Sequence, residues 1–445
     1  MSERETWATR AGFILAAVGS AVGLGNIWQF PFKTAQFGGA SFLVVYLIAA
    51  FGIGLPAILA EFVIGRRSNL NAIGAFDRLG HREWRFVGAM GLFIGFWILS
   101  YYSVVGGWVL RYVWGSLTGA YFADPTAYFD AVSAGLDAVA LHAVFMLLVV
   151  GIVALGIEDG IEKGTKVMVP AIALILVGLA AYAATLPGAM RGYEYFLTPD
   201  LAEVRANLGD IVPFAVGQAF FSLSLGMGAM ITYASYIDGE DSLVSDGITI
   251  VVLNTFIGLL AGLVVFPLLF AQGIDPNTSG PGAVFVSVAG AFANLPGGRL
   301  IGAVFFLVVL IAALSSAISL LEVAVSYVID NHSVGRVPTA AVIGVALFVL
   351  GLPSAMDTAW LTWFDTLAYS LLLPVSVLLV VVFVGWVLGG DALAELLKGT
   401  DLGEGFGATW LVMVRVVIVV AVLGTLALGL QTLFFSETPA IVPPL

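Results

Sequence analysis

Two asparagines and a few serines stand inside otherwise apolar runs of this sequence, and their chemistry is that of neutral oxygen. Asn26 closes the stretch Gly19-Ser20-Ala21-Val22-Gly23-Leu24-Gly25-Asn26, and Asn254 lies within another apolar run. Ser222 heads the stretch Ser222-Leu223-Ser224-Leu225-Gly226-Met227-Gly228. Carboxamide and hydroxyl oxygens, joined by carbonyls freed where a helix breaks, suit a small hard cation, whereas a transition metal favours imidazole or thiolate. The pattern predicts a sodium site. A hydroxyl pair, Ser315-Ser316, would make a second one if it faced the carbonyls of Gly19 and Val22. Each residue also has a plainer reading. A buried amide can bond a neighbouring carbonyl, and paired serines can bond back to the preceding turn or knit helices together.

Tyr101-Tyr102 could be core packing, or could turn a phenol toward a carboxylate. Such a carboxylate would also meet backbone N–H groups at the break, because a half-helix N-terminus carries partial positive charge. The cavity candidates nearby, Val22, Ile98, Phe221, Met227 and Ser319, are uncharged. No lysine or arginine stands deep among them, so an apolar side chain is the expected companion of that carboxylate. His81 and His332 fall in loops and His142 near a helix end, and no Ser-His-Asp or HExxH arrangement is visible. An enzyme is therefore not expected.

Composition says what must position these groups. The 445 residues are 60% hydrophobic and only 10% charged, with a mean hydropathy of +1.05. Soluble domains carry about 25% charged residues. Apolar runs of about 20 residues, enough to cross the hydrocarbon core, recur along the chain. The expectation is an all-α polytopic membrane protein in one domain, 1–445, embedded in a lipid bilayer and without a cleavable leader. Cysteine is absent, and the net charge of −12 argues against a nucleic-acid partner. The acids cluster in loops, as solvated loop ends or as the surface of a protein facing a high-salt cytoplasm.

About eleven spans are expected: 10–37, 40–65, 87–117, 137–156, 165–186, 211–237, 245–271, 298–329, 338–352, 360–388 and 409–433. Pro281–Asn294 is too short to span and reads as a re-entrant or lid element. Basic residues gather on one side of this arrangement: Arg4, Arg66, Arg67, Arg78, Arg82, Arg85, Lys163, Lys166, Arg336 and Lys398. The positive-inside rule then puts the N-terminus in the cytoplasm and the C-terminus outside. Helices 1 and 6 are both interrupted by glycine-rich stretches. The second break comes five segments after the first, an odd number, so a second five-helix unit would sit inverted in the membrane, with the repeats at about 10–186 and 211–388. Corresponding broken helices in inverted halves point to a transporter's binding site. Glu322 lies deep in helix 8, where an ionisable group suggests function. Gly160 and Pro170 flank the expected start of helix 5, as punctuation or as a point of unwinding.

The stretches 7–32, 217–236 and 313–322 resemble the neurotransmitter:sodium symporters, and most of all their bacterial and archaeal amino-acid branch. The resemblance covers essentially the whole chain. It implies a LeuT-like fold with a 5+5 inverted repeat and import of apolar or aromatic L-amino acids with two Na+ ions across the cell membrane. The first ion would be held by the Ala21 carbonyl, Asn26, Ser222, Asn254 and the substrate carboxylate. The second would take the carbonyls of Gly19, Val22 and Ala312 and the hydroxyls of Ser315 and Ser316. The substrate pocket would comprise Ala21, Val22, Gly23, Gly25, Ile98, Tyr102, Phe221, Ser222, Ser224, Met227, Ser316 and Ser319, with Phe221 as outer lid. An inner gate would use Arg4 with Asp330, and Trp7, Ser235, Tyr236 and Glu322. The spacing from Gly160 to Pro170 matches the family's helix 5 unwinding motif. Gln29 and Ala368 occupy the places where relatives often carry an outer arginine–aspartate pair, so closure there by a salt bridge is not expected. Gly23 replaces the acid of the monoamine branch, which favours amino acids over amines. Gly258 stands where chloride-independent bacterial members have a glutamate, while the chloride-site neighbours Tyr46, Gln218, Ser222 and Asn254 are present. Dependence on Cl−, or another source of negative charge, follows. The alternative on the same scaffold is a non-transporting amino-acid sensor or a substrate-gated channel.

Overall fold

The computed structural model describes residues 6–237, 241–276, 282–435 and 441–444, all helix and connecting turns with no strand among them. The first span is broken: α1a (Arg10–Ala21) and α1b (Gly25–Gln36) meet at a bend of 48°. It is followed by α2 (Ala40–Ser68), α3 (Arg82–Thr118), α4 (Leu136–Ala154) and α5 (Ile157–Ala184). The sixth span is again two pieces, α6a (Leu208–Ser222) and α6b (Ala229–Ala234). After it come α7 (Leu243–Ala271), α8 (Gly298–Asn331), α9 (Arg336–Met356), α10 (Thr358–Leu388) and α11 (Glu404–Gln431). The unbroken helices and the bent α1 are each long and apolar enough to cross a bilayer. The α6 pieces are not, and they reach the expected count of eleven only as one interrupted crossing.

Lipid tails are as apolar as the helices, so the hydrophobic effect does not press helices together and close backbone approach matters more. Small residues supply it. A Cβ on Gly65 of α2 would fall 2.2 Å from the Ile231 carbonyl of α6b, and one on Gly160 of α5 would fall 2.2 Å from the Ile152 carbonyl of α4. α8 runs along α3, and α1a is surrounded by α5, α7, α8 and α6b. The interrupted helices therefore lie at the centre.

One boundary differs from expectation. α5 begins at Ile157, not near residue 165, and its first turns (Ile157–Glu162) are π-wound. Pro170 lies inside the helix, so Gly160 and Pro170 are both within α5 and do not flank its start. The charged run Glu158-Asp159 hid that turn from a hydropathy reading. The short apolar segment forms a helix, Ala283–Ala293, against α7 and α8. Its Phe285 enters an aromatic cluster with Trp108, Tyr112, Phe129 and Phe306.

The α6 break has a visible cause and a visible cost. Ser224 (φ 53°), Gly226 (φ 76°) and Gly228 (φ 73°) all sit in the left-handed region, which costs a non-glycine residue about 1–2 kcal/mol. The Ser224 hydroxyl compensates by donating to the Ser20 carbonyl at 2.8 Å. Glu61, a buried acid within the apolar α2, accepts from the Gly226 N–H at 2.6 Å. Replacing Glu61 with alanine leaves that N–H buried and unpaired, a loss of about 1–3 kcal/mol. Thermal unfolding of the solubilised protein should show a clear drop for Glu61→Ala. Glu61→Gln, whose amide oxygen still accepts, should lie close to the parent.

Candidate functional site: two oxygen clusters and a neutral cavity

α1a ends because Val22 turns extended (φ −81°, ψ 98°), and the chain re-enters helix through a π-turn at Gly25–Gln29. The Asn26 amide, just past this break, donates to the Asn254 carbonyl at 3.0 Å and to its side-chain oxygen at 2.9 Å. That same side-chain atom of Asn254 lies 3.0 Å from the Ser222 carbonyl and 3.2 Å from the Ala21 carbonyl. With the amide turned one way, Asn254 donates its NH2 to both carbonyls. Turned the other way, it joins them as a third oxygen, an arrangement that repels itself unless a cation sits among the three. Asn26 Oδ1 is buried nearby with no hydrogen-bond partner. The structure thus brings Ala21, Asn26, Ser222 and Asn254 together. It is the carbonyl of Ser222 that faces this point, while its hydroxyl meets Tyr46 Oη at 3.2 Å.

A second cluster joins α1 to α8. Ser315 Oγ lies 3.2 Å from the Val22 carbonyl and 2.9 Å from that of Ala312. Ser316 Oγ lies 3.4 Å from the Gly19 carbonyl and 2.8 Å from that of Ser20. Two hydroxyl protons cannot fully satisfy this set of oxygens, so the chemistry again suits a small hard cation. No group of three or more His, Cys, Asp or Glu side chains that could hold a metal occurs among the described residues.

Between the clusters lies a cavity of about 20 Å3, room for one water. Its lining includes Ala21, Gly23, Gly25, Ile98, Tyr102, Phe221, Ser224, Met227 and Ser316, as expected, with Ser20 and Leu320 added. Val22, Ser222 and Ser319 do not line it. The Ser319 hydroxyl is occupied, receiving Ser20 Oγ at 2.7 Å and donating to the Ser316 carbonyl at 2.7 Å. Ser20 belongs to the interrupted stretch itself, and a hydroxyl at that position was the signal for it. Leu320 gives no signal apart from its place one turn beyond Ser316. Every lining side chain is uncharged. The Leu24 N–H donates to Tyr102 Oη at 3.1 Å, so the phenol keeps its own proton to donate, with the Ser316 hydroxyl as its neighbour. A Cβ on Gly23 would fall 2.2 Å from Ser316 Oγ and 2.7 Å from Tyr102 Oη, so only glycine leaves this space open. Phe221 covers Gly25, whose Cβ would meet the ring at 2.9 Å.

The chloride-site neighbours are also adjacent. Gln218 Nε2 donates to the Gly25 carbonyl at 2.9 Å, leaving its Oε1 buried and unpaired. The buried Thr255 hydroxyl faces the Tyr46 phenol. Gly258 faces Asn26 Nδ2, with 3.7 Å between that atom and an added Cβ.

At the N-terminal end of α1, the Trp7 indole donates to the Tyr233 carbonyl at 2.9 Å and its backbone N–H to the Tyr236 carbonyl at 3.4 Å. Tyr236 Oη donates to Glu322 at 3.0 Å, and Arg336 pairs with the other Glu322 oxygen at 2.6 Å. Ser235 Oγ caps the Thr232 carbonyl at 2.6 Å. Arg4 lies outside the described residues. Its expected partner Asp330 accepts from Asn71 Nδ2 at 2.9 Å. Two tethers of this end were missed in the sequence. Arg10 pairs with Asp246 at 2.6 Å. Glu162, in the π-wound start of α5, accepts from the Ala8 N–H at 2.8 Å and Thr9 Oγ1 at 2.9 Å while paired with Lys166 at 2.6 Å. Both acids looked like ordinary loop charges.

At the other end, Gln29 and Ala368 are buried. The charges are displaced by about one turn. Asp365 on α10 accepts from Tyr101 Oη at 3.0 Å, and the Lys33 ammonium on α1b acts on the same carboxylate. Lys33 lies 4.9 Å from the centre of the Phe214 ring.

The sequence profile of the sodium:neurotransmitter symporter family matches residues 4–124 and 132–438. The chain belongs to this family. Symporter relatives include an uncharacterised sodium-dependent transporter, YhdH, of Bacillus subtilis, 34% identical over 95% of this chain and 97% of its own. Another, from Methanocaldococcus jannaschii, is 38% identical over 88% of this chain and 84% of its own. A crystal structure of MhsT in complex with L-phenylalanine superposes with a TM-score of 0.87 at 38% identity, covering 96% of this chain and 99% of that one. The chain is thus a multi-pass, sodium-coupled transporter with the LeuT-like fold, not an enzyme.

Removing the Asn26 side chain takes an unpaired oxygen from a point shared by several groups. A lost bond to a charged partner is worth about 1.5–3 kcal/mol, or roughly tenfold and more in affinity. Equilibrium binding to Asn26→Ala should show apparent sodium affinity and substrate affinity falling together. Gly23→Ala should abolish substrate binding while leaving a folded protein by size-exclusion chromatography.

Proposed function

We propose that this symporter imports apolar and aromatic L-amino acids together with two sodium ions by alternating access. The observation that carries the reading is the cavity at the α1 break. It is neutral throughout and bordered by a phenol with a free proton and by glycines that leave backbone exposed. An amino acid's carboxylate meets Tyr102 and the N–H groups of the break, and Phe221 closes over it. A charged side chain would have no counter-ion there and would cost several kcal/mol to bury. The MhsT structure holds L-phenylalanine, which agrees with this choice.

The first sodium takes the Ala21 carbonyl, Asn26, Asn254, Ser222 and the substrate's own carboxylate. Ion and substrate then complete each other's shell, and each raises the other's affinity by the same factor. The second takes the carbonyls of Gly19, Val22 and Ala312 and the hydroxyls of Ser315 and Ser316, so it ties α1 to α8 without touching substrate. A cavity of about 20 Å3 must widen to admit a side chain. Loss of the ties at Trp7, Tyr236, Glu322 and Glu162 frees the inner end of α1a, and the π-wound start of α5 gives way alongside it. The two five-helix units at about 10–186 and 211–388 form the inverted repeat, with the helix near 409–433 added. The protein works in the cell membrane, with the N-terminus cytoplasmic and the C-terminus outside, a reading supported by the side on which its basic residues gather.

Chloride at Tyr46, Gln218, Ser222 and Asn254 supplies the negative charge that Gly258 does not. Three outcomes follow. Binding of labelled leucine, tryptophan and alanine should rise with sodium, and binding that ignores sodium would remove the coupling scheme. Lysine and glutamate should compete at least tenfold more weakly, given the cost of an unpaired charge. Uptake into proteoliposomes should fall when gluconate replaces chloride, and Gly258→Glu should make it indifferent to that exchange.

A further inference from the structure

The end of α2 carries Arg66-Arg67, and the chain then turns at Asn69 (φ 50°) into the short helix Gly74–Arg78. Beside it lies another short helix, Gly390–Leu396, followed by Lys398. These pieces enclose a polar cavity of about 430 Å3 lined by Arg66, Arg67, Asn69, Arg78, Glu395 and Lys398.

Its floor is already neutralised. Arg66 is buried, pairs with Glu395 at 2.7 Å and donates to the carbonyls of Asp241 and Glu395. Lys398 bonds the other Glu395 oxygen at 2.6 Å. Burial alone would push the Glu395 carboxyl up, but Lys398 and Arg66 outweigh it and hold the group below the usual carboxylate range. The rim is different. Among the described residues Arg67 pairs with Asp391, which is itself exposed, and Arg78 is exposed with no hydrogen bond or ion pair. Four cations thus face two carboxylates, in a chain whose net charge is −12.

The segment that leads into Asp391 also meets α11. On the far side of the turn before Asp391, Arg415 of α11 donates to the Gly385 carbonyl at 2.6 Å and reaches to within 3.6 Å of a Cβ placed on Gly389. It has no carboxylate partner among the described residues, although it lies in a spanning helix. Trp386, on the adjoining turn of α10, is half exposed. An arginine inside a span is expensive unless something anionic meets it, and tryptophan gathers at the headgroup level.

We propose that this cavity binds the phosphate of an anionic lipid headgroup. Guanidinium forks match phosphate oxygens in pairs, and basic pockets on the cytoplasmic side of a membrane protein take such headgroups. The lipid's phosphate spans Arg67 and Arg78, and its chains pass along Trp386 and α11. The side of the membrane rests on the orientation proposed above. Inorganic phosphate offers the same chemistry without the chains.

The test is native mass spectrometry of the full chain released from detergent, titrated with phosphatidylglycerol or phosphatidylcholine. Phosphatidylglycerol should be retained preferentially, and Arg67→Gln and Arg78→Gln should each weaken retention about fivefold. Displacement of the lipid by millimolar inorganic phosphate would reassign the site to the free anion and overturn the lipid. Equal retention of both lipids, or retention unchanged in the double variant, would overturn the site. Sodium-dependent amino-acid binding by the same variants should match the parent. A failed lipid result therefore leaves the transport reading intact, and a failed sodium result leaves the lipid site intact.

Discussion

A helix interrupted in an apolar interior exposes N–H and C=O groups that water cannot reach, and each must find a partner or cost several kcal/mol. The centre of this protein is organised around that constraint. α1 breaks at Val22–Gly23 and α6 at Leu223–Gly228. Part of the debt is met within the protein. Glu61 takes the Gly226 N–H, Gln218 the Gly25 carbonyl and Ser224 the Ser20 carbonyl. What is left is uneven: at Gly19, Val22 and Ala312 the carbonyls outnumber the two hydroxyls that face them, and at Ala21 and Ser222 the balance turns on which way the Asn254 amide points. Surplus acceptors in a dry interior call for cations. The sodium sites proposed above rest on that local chemistry.

The same constraint keeps the cavity neutral. The serine hydroxyls between the clusters are engaged: Ser20 donates to Ser319 and Ser319 to the Ser316 carbonyl, while Ser224 and Ser316 donate to the Ser20 carbonyl, which ties α1 to α6 and α8. The Tyr102 phenol accepts from the Leu24 N–H and keeps its own proton to give. Gly23 is required because its neighbours already fill the space a side chain would need. Packing therefore settles what can enter as strictly as charge does.

The two ends of α1 are held by different means. Trp7, Tyr236 and Glu322 with Arg336, and Glu162 with the Ala8–Thr9 backbone and hydroxyl, fasten the first end through charged and aromatic groups. The second end keeps its charges, Lys33 and Asp365, about a turn away from the places where relatives often carry them, and covers the gap with Gln29 and a π-turn at Ala368. A rim of arginine beyond the spans, Arg67 paired with the exposed Asp391 and Arg78 exposed beside it, is a part of the charge pattern that the proposed transport cycle leaves aside.

The order of spans and the position of both breaks were legible in the sequence, because hydrocarbon thickness sets helix length and glycine clusters set interruption. So was the identity of the oxygen donors, since a buried uncharged amide or hydroxyl in an apolar run stands out by type alone. What tertiary structure alone decided was which acid meets which donor. Glu61 could be seen as an intruder in α2 but not as the partner of Gly226 from a distant helix. Glu162 and Asp246 read as loop charges until α5 and α7 were brought against the start of α1. The start of α5 was misplaced because a π-wound turn carrying Glu158-Asp159 looks like a loop to hydropathy. The displacement of the outer charges to Lys33 and Asp365 was equally hidden, because residues a turn apart on separate helices are related only by packing. Local chemistry is written along the chain, whereas pairing across helices depends on distances that exist only after the chain has folded.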